Sequence, residues 1–216
     1  SASHNPYYDN GIKIFKTNGQ KLSDKEELKI ERRIDRDKII CNISDSPIIY
    51  KKYDIKIYKN FVTRKFKDFN ISGLKVVIDC ANGSVFKLAP SFFKKFGCKI
   101  FCYSDKPNGK NINKNCGATF PKRIAKLTRK HNADIGLSFD GDADRVVIAT
   151  ENGDIIDGSK ALSIICKYQD ENSKPFKSIV STKMSNIAFR NFIKKQKIKL
   201  FLSNVGDRYV IEKMKK

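Results

Sequence analysis

A chain of 216 residues with 40% apolar content has material for one large domain or two smaller ones, and no apolar run in it is long enough to span a bilayer. The net charge of +21 arises from 44 Lys+Arg scattered through every segment, with no zinc finger, RRM signature or basic zipper, which argues against a specific nucleic-acid partner. The six cysteines form no Cys-x-x-Cys pair, and His4 and His131 are not placed to complete a zinc site, so the thiols read as reduced and buried in a cytosolic protein.

Residues 1–50 are mixed. Asn10-Gly11 and Asn18-Gly19 mark a loop, and the charged stretch from Asp24 to Arg36 predicts a helix capped by Ser23 or Asp24. Pro47 and its polar neighbours mark a boundary. From Leu74 the pattern becomes regular. Leu74–Asp79 reads as a buried strand, followed by the turn Ala81-Asn82-Gly83. Residues 84–97 predict a helix ending at Gly97, with Pro90 a kink or restart point. Strands follow at Lys99–Tyr103 and Ile135–Phe139, with a loop at Asn108-Gly109 and a helix over 121–131 between them. Arg145–Ala149 is apolar and runs into a hairpin signal, Glu151-Asn152-Gly153-Asp154. Beyond Ile155, residues 158–169 read as helix, 178–182 as strand, 185–196 as helix and 198–202 as strand, before a Gly-containing loop opens a last helix. Strands alternating with helices of this length predict an α/β fold with two mostly parallel sheets.

The densest chemistry lies in the run FDGDADR. Asp140, Asp142 and Asp144 stand at alternate positions just after an apolar strand, and three carboxylates so close repel one another unless a hard cation neutralises them. Gly141 is expected to let the backbone turn tightly enough to aim them at one point. Arg145 adds a fixed positive charge, and a metal beside an arginine at a strand end suits a phosphorylated substrate. An EF-hand is excluded, because its sixth position should be Gly and is Arg145. A phosphatase of the haloacid-dehalogenase type wants Thr or Val at the position held by Asp144 and stays as a rival, as does a solvated acidic turn. The opening Ser1-Ala2-Ser3-His4-Asn5-Pro6 is by itself an ordinary turn, because neighbouring Ser and His do not make a catalytic pair.

Taken together, SASHNPYYDNGIK, DCANG, PNGKNIN, DGDADR and SNVGDRYVIEKM, in that order, resemble the α-D-phosphohexomutase superfamily and, within it, the bacterial phosphoglucosamine mutase branch. The resemblance runs through nearly all of the chain. It departs from the pattern at Ala143, where many members carry Gly; Ala is small enough that the loop should survive. It implies repeated phosphohexomutase-type domains with sheets sandwiched by helices, truncated at both ends. The expected division is residues 1–52 (end of domain 1), 53–153 (domain 2) and 154–216 (start of domain 3). No signal peptide is visible and the chain opens with Ser1, so a preceding segment is expected, as are a downstream sugar-recognition loop and a phosphate-gripping domain.

The resemblance also implies an activity. A phosphate carried on Ser3 passes to glucosamine 6-phosphate, giving the 1,6-bisphosphate, and the other phosphate returns to the serine as glucosamine 1-phosphate leaves, on the cytoplasmic route to UDP-N-acetylglucosamine and the cell wall. One Mg2+ is expected on Asp140, Asp142, Asp144 and the Ser3 phosphate. Lys13 and Arg145 are expected to neutralise other phosphate oxygens, and His4 to orient the site. Gly206, Asp207 and Arg208 are expected to face the sugar, although Asp207 and Arg208 read equally as a helix cap and its solvated neighbour. The chain alone is expected to have little mutase activity, because remote phosphate contacts supply binding energy for the chemistry. The alternatives are a phosphomannomutase or phosphoglucomutase of the same superfamily, or a non-catalytic remnant.

Overall fold

The computed structural model describes residues 3–37 and 55–215. The expected boundary at Pro47, the division after residue 52 and Cys41 lie outside the described residues. The chain divides into two compact units, Gly11–Phe69 and Ser1–Asn10 with Asn70–Lys216.

In the smaller unit, helix α1 (Asp24–Asp37) opens on a reciprocal capping box. The Ser23 N–H donates to Glu26 Oε2 at 2.8 Å, and the Glu26 N–H donates to Ser23 Oγ at 3.4 Å. Ser23, rather than Asp24, is therefore the cap. Hydrogen bonds from Lys16 and then from Ser23 hold the Glu26 carboxyl down at about 2. Helix α2 (Ile55–Lys65) has no counterpart in the sequence reading. Its β-branched and aromatic residues are indifferent helix formers, and none of them is buried.

The larger unit holds two sheets. The first comprises β1 (Lys75–Asp79), β2 (Lys99–Tyr103), β3 (Ile135–Phe139), β4 (Val146–Thr150) and β5 (Ile155–Ile156) in the order β2-β1-β3-β4-β5. Strand β1 runs parallel to β2 and β3, whereas β4 is antiparallel to both of its neighbours. Helices α3 (Leu88–Lys95) and α4 (Pro121–Lys130) cover the two faces. The period of two in β1 separates those faces. Val76 and Ile78 pack with Ala89 of α3, Cys98 and Leu137, while Val77 packs with Ile124 of α4, Ala133 and Ala149. Each of these fully buried β1 side chains contributes about 1.5–3 kcal/mol.

Helix α3 starts at Leu88, four residues later than expected, because the preceding residues form a turn in which the Phe86 N–H bonds the Gly83 carbonyl at 3.3 Å. Pro90 consequently falls in the first helical turn, where proline is tolerated. Gly97, at φ +81°, ends the segment in the left-handed conformation expected of it.

The second sheet pairs β6 (Ser178–Thr182) with β7 (Lys199–Ser203) in parallel, among α5 (Gly158–Glu171), α6 (Ile187–Lys195) and α7 (Asp207–Met214). Asp157 and Asn186 cap α5 and α6 by accepting the Lys160 and Phe189 N–H groups at 2.8 Å. Cys166, Phe189, Ile193 and Ile198 form its core. The described cysteines are free thiols. Burial pushes the pKa of Cys98, Cys116 and Cys166 up, and at Cys80 a contact with the Cys102 thiol, Sγ to Sγ 3.8 Å, adds to burial in the same direction. No described helix is long and apolar enough to cross a membrane.

Candidate active site

Strands β1 and β3 end side by side, and the loops at their C-terminal ends build the site. Asp79, the last residue of β1, is fully buried. Its carboxylate accepts the Ala81 and Gly117 N–H groups, both at 3.1 Å, and the guanidinium of Arg123. Arg123 also donates to Ser104 Oγ at 2.9 Å. This ion pair, buried on its carboxylate side, fixes the turn over residues 80–83, against which the acidic loop is laid. The Ser84 N–H donates to the Gly141 carbonyl at 2.8 Å, and a Cβ on Gly83 would fall on the Gly141 backbone.

The acidic loop joins β3 to β4, whose Phe139 and Val146 are paired, so it is the six-residue connection of an antiparallel hairpin. Asp140 is 1% exposed and Arg145 closes the loop on it. The Arg145 N–H bonds Asp140 Oδ1 at 3.2 Å and its Nε bonds Oδ2 at 3.0 Å. Asp144 Oδ1 lies 3.6 Å from the same Nε. The role expected of Gly141 changes. Its φ is not in the left-handed region, whereas that of Ala143 is, at +60°. Gly141 is required for close approach instead: a Cβ there would run into the Ser3 carbonyl oxygen and come within 2.8 Å of Ile112 Cδ1 and 2.9 Å of Asn113 Nδ2.

Ser3 is docked on this loop. Its Oγ donates to Asp140 Oδ2 at 2.7 Å and accepts from Arg145 Nη2 at 2.7 Å. Its carbonyl accepts the Gly141 N–H at 3.1 Å and Asn113 Nδ2 at 2.8 Å. His4 Nδ1 also meets Arg145 Nη2. Asp140, Asp142 and Asp144 each offer one carboxylate oxygen, and these three atoms lie within 4.8 Å of one another. Three hard anionic donors facing one guanidinium leave negative charge in excess, and the set is compatible with a divalent cation such as Mg2+.

Ser3, His4, the three aspartates and Arg145 are thus brought together, although Ser3 and Asp140 are 137 positions apart. Lys13 belongs to the smaller unit, where it helps line a hollow with Ile12, Ile14 and Leu22. Gly206, Asp207 and Arg208 form the approach and first turn of α7. Gly206 has φ +129° and holds the cap position, Asp207 accepts the Arg208 N–H at 2.8 Å, and the Arg208 guanidinium lies 5.2 Å from the Tyr209 ring centre. The cap reading of Asp207 therefore shifts by one residue. Sequence reasoning missed Asn113 and the Asp79–Arg123 pair. The partners of Asn113 are backbone carbonyls more than a hundred residues away, which leave no local signal.

Residues 1–40, 55–153 and 157–216 match the signatures described as phosphoglucomutase/phosphomannomutase alpha/beta/alpha domains I, II and III. The chain belongs to the phosphoglucomutase/phosphomannomutase family. A phosphoglucosamine mutase of Campylobacter jejuni is 45% identical over 221 aligned positions, covering 100% of this chain and 50% of that protein. Another from Chelativorans sp. is 43% identical, covering 100% of this chain and 49% of that protein. The chain spans about half the length of the curated relatives it matches. A solved phosphoglucomutase/phosphomannomutase family protein from Burkholderia thailandensis superimposes with a TM-score of 0.80 over 100% of this chain and 46% of its own, at 23% identity, a likeness of fold. In this phosphoglucomutase/phosphomannomutase frame, the serine loop lies in the part matching domain I and the acidic loop in the part matching domain II.

Proposed function

We propose that this chain carries the phosphoserine and metal-binding parts of a phosphoglucosamine mutase, which interconverts glucosamine 6-phosphate and glucosamine 1-phosphate. The observation that carries the reading is the Ser3 hydroxyl, held at 2.7 Å from both a carboxylate of the acidic loop and the Arg145 guanidinium. A phosphate on that oxygen would meet a fixed donor on one side and a cation-binding cluster on the other. Phosphoryl transfer demands chiefly positioning and neutralisation of charge, and these residues supply both.

Ser3 carries the phosphate and gives it to the sugar 1-hydroxyl, forming glucosamine 1,6-bisphosphate, which also serves as activator. The 6-phosphate then returns to Ser3 and glucosamine 1-phosphate is released. Asp140, Asp142 and Asp144, with an oxygen of the Ser3 phosphate, would hold one Mg2+. When bound, the cation neutralises charge on the phosphoryl oxygens. Arg145 and Lys13 take the remaining phosphate oxygens, and His4 orients Arg145. Gly206, Asp207 and Arg208 face the sugar. The proposed organisation is residues 1–52, 53–153 and 154–216, in a cytoplasmic enzyme whose partner is a hexosamine phosphate and neither nucleic acid nor membrane.

The test is mass spectrometry of the full-length protein after incubation with glucosamine 1,6-bisphosphate and Mg2+. Phosphate on Ser3, absent in Ser3→Ala, is expected. A folded, Mg2+-loaded sample with no phosphate on Ser3 would overturn the reading, and equal transfer from mannose or glucose 1,6-bisphosphate would overturn the sugar assignment.

A further inference from the structure

We infer that Asn113 is a positioning residue that clamps the phosphate-carrying serine onto the acidic loop, acting through the backbone and not on the reacting atoms. The inference rests on the reading of Ser3 as the phosphate carrier. Ser3 has φ +54°, a conformation that a residue with a side chain keeps only where its surroundings enforce it. Asn113 supplies much of that enforcement. One nitrogen, Nδ2, donates to the Ser3 carbonyl at 2.8 Å and to the Asn5 carbonyl at 2.9 Å, so both of its protons grip the segment on either side of His4. Two facing carbonyls also settle which end of the amide is nitrogen.

The clamp stands on a firm base. Asn113 is 8% exposed, and its own N–H bonds the Ala81 carbonyl at 2.9 Å, in the turn that Asp79 holds. Its φ is +57°, which Asn tolerates better than most residues. The side chain has a cost, because Oδ1 is buried with no hydrogen-bond partner among the described residues. A residue present only to fill space would avoid leaving an acceptor unpaired. The donor pair accounts for the amide.

Two variants of the full-length protein test this. Asn113→Asp keeps the shape and the tolerance for positive φ but donates nothing when ionised. Asn113→Gly keeps the backbone conformation and removes the side chain. Hydrogen exchange at the Gly141 amide, the third donor of the set, read by NMR, reports the clamp without any catalysis. Exchange at Gly141 should quicken about 10-fold or more in both variants, while amides in the centre of β1 stay unchanged. Turnover of hexosamine phosphate should fall about 10- to 100-fold in kcat, with KM within about twofold, because the sugar contacts are untouched. Unchanged Gly141 exchange, or a loss seen in KM with kcat preserved, would overturn the inference. If the unsubstituted protein never carries phosphate on Ser3, the functional reading fails, and Gly141 exchange still decides whether the clamp exists.

Discussion

Gly141→Ala adds a single methyl group at a crowded point of the site, where the Ser3 segment meets the acidic loop. The new Cβ would lie within 3 Å of the Ser3 carbonyl oxygen, Ile112 Cδ1 and Asn113 Nδ2, where ordinary contact is 3.4–4 Å. The Ser3 segment is the neighbour with most freedom to retreat, by roughly 0.5–1 Å, since Asn113 and Gly141 are tied to the Asp79 turn. Overpacking of this kind costs about 1–3 kcal/mol, which lowers Tm by roughly 2–10 °C in a protein of this size. On the proposed role of Ser3 as phosphate carrier, the effect on chemistry should be larger, because a displacement approaching 1 Å at a reacting group lowers the rate by about 100-fold. The assay is the initial rate of phosphate transfer to Ser3 in the full-length protein, beside a thermal melt. Gly158→Ala is the control: nothing lies within 4 Å of its Cβ position, at the first residue of α5, so activity should hold and stability should rise by about 0.5–1 kcal/mol. Transfer by Gly141→Ala within about threefold of the unsubstituted rate would refute the claim that this glycine exists for close approach.

Three further outcomes are expected. Asp79→Ala takes the acceptor from two backbone N–H groups of the turn and should cost about 2–4 kcal/mol in urea unfolding; Asp79→Asn, which keeps an acceptor, should cost less. Ala143→Gly should stabilise by roughly 1 kcal/mol in a thermal melt, because φ +60° strains any residue with a Cβ. The Glu26 carboxyl, depressed from 4.5 to about 2 in the fold, contributes stability that is fully present above pH 4.5 and lost as pH falls toward 2. An NMR pH titration of α1 should show this loss, and Glu26→Gln and added salt should each diminish it.

The regular part of the fold was legible because its signals are local. The run around Val76–Ile78 is continuous and apolar because both faces of the sheet are covered, and Gly97 and Asn152-Gly153 punctuate where the backbone turns. Helix α2 was not legible, since its Ile, Tyr, Phe and Val residues are indifferent helix formers and none of them is buried, so the segment lacks the strong apolar stripe that marks α4. The carboxylates of the acidic loop could be read because all three lie within five residues. The union of Ser3 with Asp140 could be reached only through the resemblance of whole motifs, and Asn113, although it closes the motif PNGKNIN, was assigned no role, because an amide that serves two distant carbonyls looks like any loop asparagine. The glycine was marked for the wrong reason. Sequence reveals that Gly141 has no Cβ, but only the packing of the Ser3 segment reveals what that absence admits.

The acidic loop is a hairpin connection, and this divides the history of the site. Its three carboxylates are gathered by the pairing of Phe139 with Val146, a closure of a few residues that a chain completes on the microsecond scale. Bringing Ser3 to Asp140 spans 137 positions, which in an unfolded chain costs about 3 kcal/mol more entropy to close. Loop length therefore predicts that the carboxylates gather before the serine docks on them. The same asymmetry predicts that on unfolding the serine segment is released first, while the hairpin still holds the three carboxylates together.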